Sequence, residues 1–186
     1  MILKSSNQPS PFLQTKRLLL RPLTMDDLEF VFQHFGHPLV YQYMLDEDPV
    51  TDVSQAREII QFYLDAEDKL YNRWGIAQQS NGQLIGTCGF HKWNKRSFRA
   101  EIGYDLHPDF WGQGYMTEIL RTVIPHGFEQ MELHRIEALI YVENNRSIQL
   151  LQKMGFKEEG ILRDYFSLNG TFYDHAIFSL LKQEWK

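Results

Sequence analysis

The sequence predicts a single-domain α/β fold with seven strands and four helices. Three observations carry this. A strand-like run, Ala100 to Leu106, meets a short glycine loop and then a helical stripe of Met116, Ile119, Leu120, Val123 and Ile124. Two Asn-Gly pairs, Asn81-Gly82 and Asn169-Gly170, each sit between β-patterned runs and mark hairpins. Apolar residues make up 43% of 186 residues, ample for one core.

Each element has its own local reason. Lys16 to Arg21 reads as the first strand, after a polar, proline-bearing arm over residues 1–14. Thr24 with Asp27 three positions on caps a helix through about Phe35. An acidic loop, Asp46 to Thr51, precedes a second helix from about Asp52 to Lys69. Trp74 to Ala77 and Leu84 to Cys88 are strands joined at Asn81-Gly82. The strand before the glycine loop stops at His107-Pro108, and the third helix follows, with Pro125 expected to kink or shorten it. Arg135 to Val142 is the fifth strand. Asn144 or Asn145 caps a short helix that buries Ile148, Leu151 and Met154, with Gly155 at the left-handed position after it. Residues 161–168 and 171–181 close the chain as a hairpin.

The loop Trp111-Gly112-Gln113-Gly114-Tyr115-Met116-Thr117 carries the first chemical inference. Glycines let backbone approach a ligand, and first-turn N–H groups have no intrahelical partner. Together with the helix dipole they form an anion site, most often for phosphate. A nucleotide-hydrolysing phosphate loop needs Gly-Lys-Ser or Gly-Lys-Thr, but Tyr115 and Met116 follow Gly114. A dinucleotide fingerprint wants a glycine where Thr117 stands, after the first strand of a βαβ unit; here three consecutive strands precede the loop.

Aligned on Gly114, the loop resembles the signature of the Gcn5-related N-acetyltransferase (GNAT) superfamily, with Trp111 and Met116 departing from its usual residues. Its Trp-Gly-x-Gly form is similar to the ribosomal-protein N-terminal acetyltransferase branch. Asn144-Asn145-Arg146-Ser147 and then Leu151-Gln152-Lys153-Met154-Gly155-Phe156 resemble a second segment of that branch, at matching spacing. The resemblance spans roughly Thr15 to Trp185. It implies a mixed, mostly antiparallel seven-stranded sheet flanked by about four helices, with residues 15–186 as one acetyltransferase domain. It implies acetyl-coenzyme A as co-substrate, with its diphosphate on the backbone of residues 111–117. It also implies pantetheine contacts from the backbones of Tyr104 and Leu106, and a cofactor-side contact from Asn144.

The chemistry then follows from amide formation. The attacking amine must be neutral. A lysine amine, with pKa about 10.4, is neutral in about one molecule per thousand near pH 7.4, against roughly a quarter to a third of α-amines. A modest base therefore suffices for an α-amine. Glu101 is the candidate: alternation puts it with Arg99, Gly103 and Asp105 on one face, and Gly103 leaves room for a ligand. The resemblance implies a glutamate base on this strand, often acting through water; the alternative is that Glu101 only pairs with Arg99 or a neighbouring strand. Ser147 is the candidate acid for the departing thiolate, since Leu150 and Leu151 stand where the wider superfamily has a tyrosine. Its alternative is a purely capping role. A backbone N–H near Leu106 is the expected oxyanion donor.

The expected reaction is acetyl transfer to a primary amine, favoured on a protein or peptide N-terminus. Small amines, amino acids or antibiotics are the alternative acceptors, and a non-catalytic acyl-coenzyme A sensor is the alternative of another class. No metal is expected: His34 and His37 lack a third ligand at useful spacing and suit a helix end, and His91, His107, His126, His134 and His175 are scattered. Cys88 and most aromatic residues, Trp74 and Trp93 included, read as core. The single cysteine excludes an internal disulfide, and neither a membrane span nor a signal peptide is apparent, so a cytoplasmic setting is expected. A net charge of −5 disfavours nucleic acid and mildly favours a cationic acceptor, which the acidic loop Asp46-Glu47-Asp48 could greet. The resemblance allows a homodimer.

Overall fold

The computed structural model describes residues 11–44, 48–65 and 72–186. The expected N-terminal arm therefore lies mostly outside the described residues, as do Asp46, Glu47 and the end of the second helix. Eight strands form one sheet: β1 (Leu13–Gln14), β2 (Leu18–Pro22), β3 (Asn72–Gln78), β4 (Leu84–Asn94), β5 (Arg99–Leu106), β6 (Arg135–Tyr141), β7 (Lys157–Leu168) and β8 (Thr171–Leu181). Their order is β1-β2-β3-β4-β5-β6-β8-β7, antiparallel throughout except for the β5–β6 pair. The sheet thus has one strand more than expected: Leu13 and Gln14, assigned to the arm, pair with Leu20 and Leu19. A two-residue strand is too short for periodicity to reveal.

The helices are α1 (Leu28–Phe35), α2 (Pro38–Tyr41), α3 (Val53–Asp65), α4 (Tyr115–Glu129) and α5 (Asn145–Lys153). α1 follows a 3₁₀ turn whose Thr24 N–H donates to Asp27 at 2.8 Å, as the capping pattern implied. α2 is the helix beyond the expected four; at one turn long it leaves no sequence period. α4 makes the crossover that a parallel β5–β6 pair requires. Pro125 does not shorten it, since the helix runs on to Glu129. α5 ends as expected: the Phe156 N–H bonds Leu151 and the Gly155 N–H bonds Gln152, both at 3.0 Å.

Two cores lie on opposite faces of the sheet. On one, the α4 stripe Ile119, Leu120, Val123 and Ile124, fully buried, packs with Trp74, Ile76, Phe90, Ala100 and Ile136, and Leu151 of α5 joins them. Each Ile, Leu, Val or Phe among them contributes roughly 1.5–3 kcal/mol by leaving water. On the other, Val31 and Phe35 of α1 meet Ala56 and Ile60 of α3 over Leu23. The alternation expected on β5 is present: Ala100 and Ile102 are buried under α4, while Asp105 turns to α1.

Candidate active site

The site begins where the sheet comes apart. β5 and β6 pair only at Arg99–Arg135, Ala100–Ile136 and Glu101–Glu137. Beyond Glu101, β5 stays paired with β4 out to Leu106, whereas β6 stays with β8 out to Tyr141. The two halves diverge around a cavity of about 550 Å³, bordered by Gly103, Tyr104 and Leu106 on one side and Leu139, Ile140 and Tyr141 on the other. The His107 N–H donates to Ile85 at 2.8 Å, so the odd-numbered β5 residues bond back to β4. Even-numbered Tyr104 and Leu106 therefore turn backbone groups into the split, with no strand to satisfy them.

At one end of the split lies the glycine loop. Gly114, at φ 75°, caps α4 in the left-handed region, which a side chain would strain. The first intrahelical bond is from the Glu118 N–H to the Gly114 carbonyl, at 3.1 Å, so the N–H groups of Tyr115, Met116 and Thr117 have no intrahelical acceptor. A Cβ on Gly112 would meet nothing within 4 Å, so the loop's backbone is open to a ligand. Trp111 anchors the loop, its indole N–H donating to the Leu106 carbonyl at 2.8 Å, and the Arg146 guanidinium lies 4.4 Å above its ring. Met116 packs into the core, 8% exposed.

Glu118 would oppose an anion from the first turn of α4, but its charge is engaged elsewhere. Thr15 and Arg17 Nε both donate to it at 2.6 Å, holding its carboxyl below the usual range against the opposing effect of burial. Arg17 also donates to the Gln113 carbonyl at 3.1 Å and stacks 4.1 Å over Tyr115. Gln113 itself donates to Asp109 at 2.8 Å. The sequence pattern did not disclose this clamp, because its partners are 96 to 103 residues apart.

The candidate acid and base reach the split from opposite faces. Glu101 lines the cavity and meets Lys92 of β4 at 3.1 Å; Arg99 instead bonds Glu137 at 2.6 Å. Lys92 is half exposed, and such pairs are weak. Ser147 lies in the first turn of α5, its N–H capped by Asn144 at 3.2 Å. Its hydroxyl faces that of Tyr104, which is buried and makes no hydrogen bond of normal geometry. Burial holds the Tyr104 phenol protonated well above its ordinary range. Asn144, Ser147, Tyr104, Trp111, Gly112, Gly114, Tyr115, Met116 and Thr117 all border the same cavity, and Gln113 completes the loop.

Two histidines have roles that spacing missed. His34 stands in the last turn of α1, as a helix-end residue would, but its ring is 1% exposed, with Nε2 2.5 Å from Asp105. Asp105 also accepts from Arg73 at 2.5 Å and from the Thr87 hydroxyl at 2.6 Å, a buried network beneath the cavity. Despite desolvation, His34 and Arg73 hold the Asp105 carboxyl far below the usual range. His91 stands against Gly103, where a Cβ would come within 2.7 Å of its Nε2. Burial, with Arg73 and Lys92 nearby, lowers its pKa to about 4, so it is neutral near pH 7. Cys88 is buried, its thiol pushed up to about 12, as suits a core residue. No cluster of three metal-ligating side chains occurs among the described residues.

The split in a mixed sheet thus lies beside a glycine loop at a helix start. The family described as the acetyltransferase (GNAT) domain matches residues 17–157, and the chain belongs to that family. An uncharacterized N-acetyltransferase, p20, of Bacillus licheniformis is 42% identical over 93% of this chain and 97% of its own length. The ribosomal protein uS5-alanine N-acetyltransferase of Escherichia coli is 31% identical over 60% of this chain and 58% of its own. The spermidine N(1)-acetyltransferase of Escherichia coli is 26% identical over 82% of this chain and 80% of its own. A GNAT-family acetyltransferase structure from Bacillus anthracis superposes with a TM-score of 0.83 at 25% identity, covering 94% of this chain and all of that one. The chain is an N-acetyltransferase, of a family that uses acetyl-coenzyme A.

Proposed function

We propose that acetyl-coenzyme A lies in the β5–β6 split and that its acetyl group passes to the N-terminal α-amine of a protein or peptide. The observation that carries this is the split itself, with free helix-start N–H groups at one end and Glu101 in its wall. The diphosphate takes the N–H groups of residues 112–117, with Arg146 beside it. The pantetheine arm takes the inward-facing backbone of Tyr104 and Leu106, with Asn144 on the cofactor side.

The amine nitrogen attacks the thioester carbon, and its proton passes to Glu101, directly or through water. The oxyanion accepts from a backbone N–H of β5 near Leu106. As the carbon–sulfur bond breaks, Ser147, whose hydroxyl lies near that of Tyr104, donates a proton to the thiolate and recovers one through solvent as Glu101 releases the proton it took from the amine. The products are an N-acetyl amine and free coenzyme A. A small amine acceptor is the second reading, favoured by the spermidine-acetylating relative. The test is a thiol-release assay across peptides, amino acids, polyamines and aminoglycosides. Turnover of free peptides that stops when the α-amine is blocked supports the first reading; turnover of small amines alone replaces it with the second.

A further inference from the structure

The cavity lining holds two chemically distinct groups. One is the start of α4 with Arg146, whose guanidinium lies over Trp111, and Lys153. The other is Tyr41, Tyr43, Asp48 and Tyr141, drawn from α2, the segment after it and the last residue of β6. Tyr43 and Tyr141 have ring centroids 6.2 Å apart, and Tyr173 of β8 stands 5.5 Å from Tyr141, nearly perpendicular to it. Burial raises the Tyr41 phenol, and Asp48 and Tyr173 raise it further, which places all three groups within electrostatic reach. These rings are only partly buried, so they are a wall and not a core. Of the other basic groups lining the cavity, Arg73 is bonded to Asp105 and Thr87, and the His91 imidazole is neutral.

Partly buried tyrosine rings with a carboxylate beside them attract an organic cation, each ring face acting within about 6 Å. The reacting amine must reach Glu101 and be neutral when it attacks, so a lasting cation held by these rings is a different group of the acceptor. We propose that the acceptor carries a second positive charge, on a flexible arm near the reacting amine, held by the rings of Tyr41, Tyr43 and Tyr141 and the carboxylate of Asp48. This rests on reading the cavity as the acetyl-transfer site. For a peptide, the second charge is a lysine or arginine side chain next to the N-terminus; for a small molecule, it is the far ammonium of a diamine.

The experiment uses two matched series with the full chain and acetyl-coenzyme A. One compares peptides bearing lysine or norleucine at the second position, and the other compares 1,4-diaminobutane with butylamine. In at least one series the charged member is expected to have about tenfold or greater kcat/KM, shrinking as salt is raised. Asp48→Asn and Tyr141→Leu each bring that ratio towards one, while Tyr141→Phe, which keeps the ring, preserves most of it. Affinity of the same compounds for coenzyme A-loaded protein is measured in parallel, so charge preference is read even without turnover. Equal handling of charged and neutral members by both readouts overturns the proposal, as does a ratio that Asp48→Asn and Tyr141→Leu leave unmoved. Charge preference confined to the small amines supports the proposal and overturns only the α-amine reading.

Discussion

At the scale of single residues, Glu101 and Ser147 carry separable expectations. Glu101→Gln should lower kcat by about 10²–10⁴-fold with coenzyme A affinity retained, as expected for loss of a general base. Its deficit should narrow as pH rises past about 8, because α-amines then arrive already deprotonated. Ser147→Ala should cost less, about tenfold, since a thiolate leaves readily without help. Steady-state kinetics with cofactor titration check both, and loss of binding in either variant would reassign that residue to structure. His91 carries a stability prediction. Its folded pKa of about 4 lies below the unfolded value of about 6.5, so unfolding takes up a proton below that pH. Its contribution is therefore complete above about pH 6.5 and falls as pH drops towards 4. Between about pH 7 and pH 5 the loss is about 2 kcal/mol. Denaturant unfolding of His91→Gln should show a shallower pH dependence by about that amount. His91 and His34 were both set aside on sequence grounds, because neither shows ligand spacing. Their importance comes from partners that local pattern cannot contain: Gly103 for one, and Asp105, 71 positions away, for the other.

At the scale of elements, the first turn of α4 is the sensitive part. Arg17 and Thr15 hold the Glu118 carboxylate away from the free N–H groups. Arg17→Ala should leave that charge beside the bound diphosphate and raise the Kd for coenzyme A about two- to fivefold, corresponding to about 0.3–1 kcal/mol at a helix start. Adding Glu118→Gln should restore the affinity; isothermal titration of the single and double variants decides. The long elements were legible because their signals are local: α4 from its buried stripe, the hairpins from Asn-Gly, α5 from Asn144 and Gly155. The short ones, β1 and α2, carry too few residues for a period. Pro125 does not end α4, because the helix buries enough apolar surface to continue through it. The final hairpin is longer than expected because β7 starts at Lys157, where exposed polar residues hide the strand.

At the scale of the whole molecule, the Asp105 network joins three sheet strands to α1. Arg73 comes from β3, Thr87 from β4 and His34 from α1. Asp105→Asn should leave the Arg73 guanidinium buried without its counter-charge, a change worth about 3–5 kcal/mol. For a chain of this size that corresponds to a fall of roughly 6–20 °C in Tm. Calorimetry or a thermal melt checks it, and a fall under about 2 °C would mean the network is not holding the sheet to α1. The network borders the cavity, so the same substitution should loosen the Glu101 side of the split and raise KM for the acceptor.

The sequence by itself determined the order of the longer strands and helices, the glycine loop at a helix start and the resemblance to an acetyltransferase family. All three depend on residues close together in the chain, where sterics, capping and periodicity act directly. Tertiary structure alone decided where β5 and β6 part, because a strand's pattern does not say where its pairing ends. It also decided that the Ser147 and Tyr104 hydroxyls stand near each other, that Arg17 restrains Glu118, and that tyrosines from α2 and β6 line one cavity. Those are contacts between elements far apart in sequence, and only the packing of both faces onto one sheet brings them together.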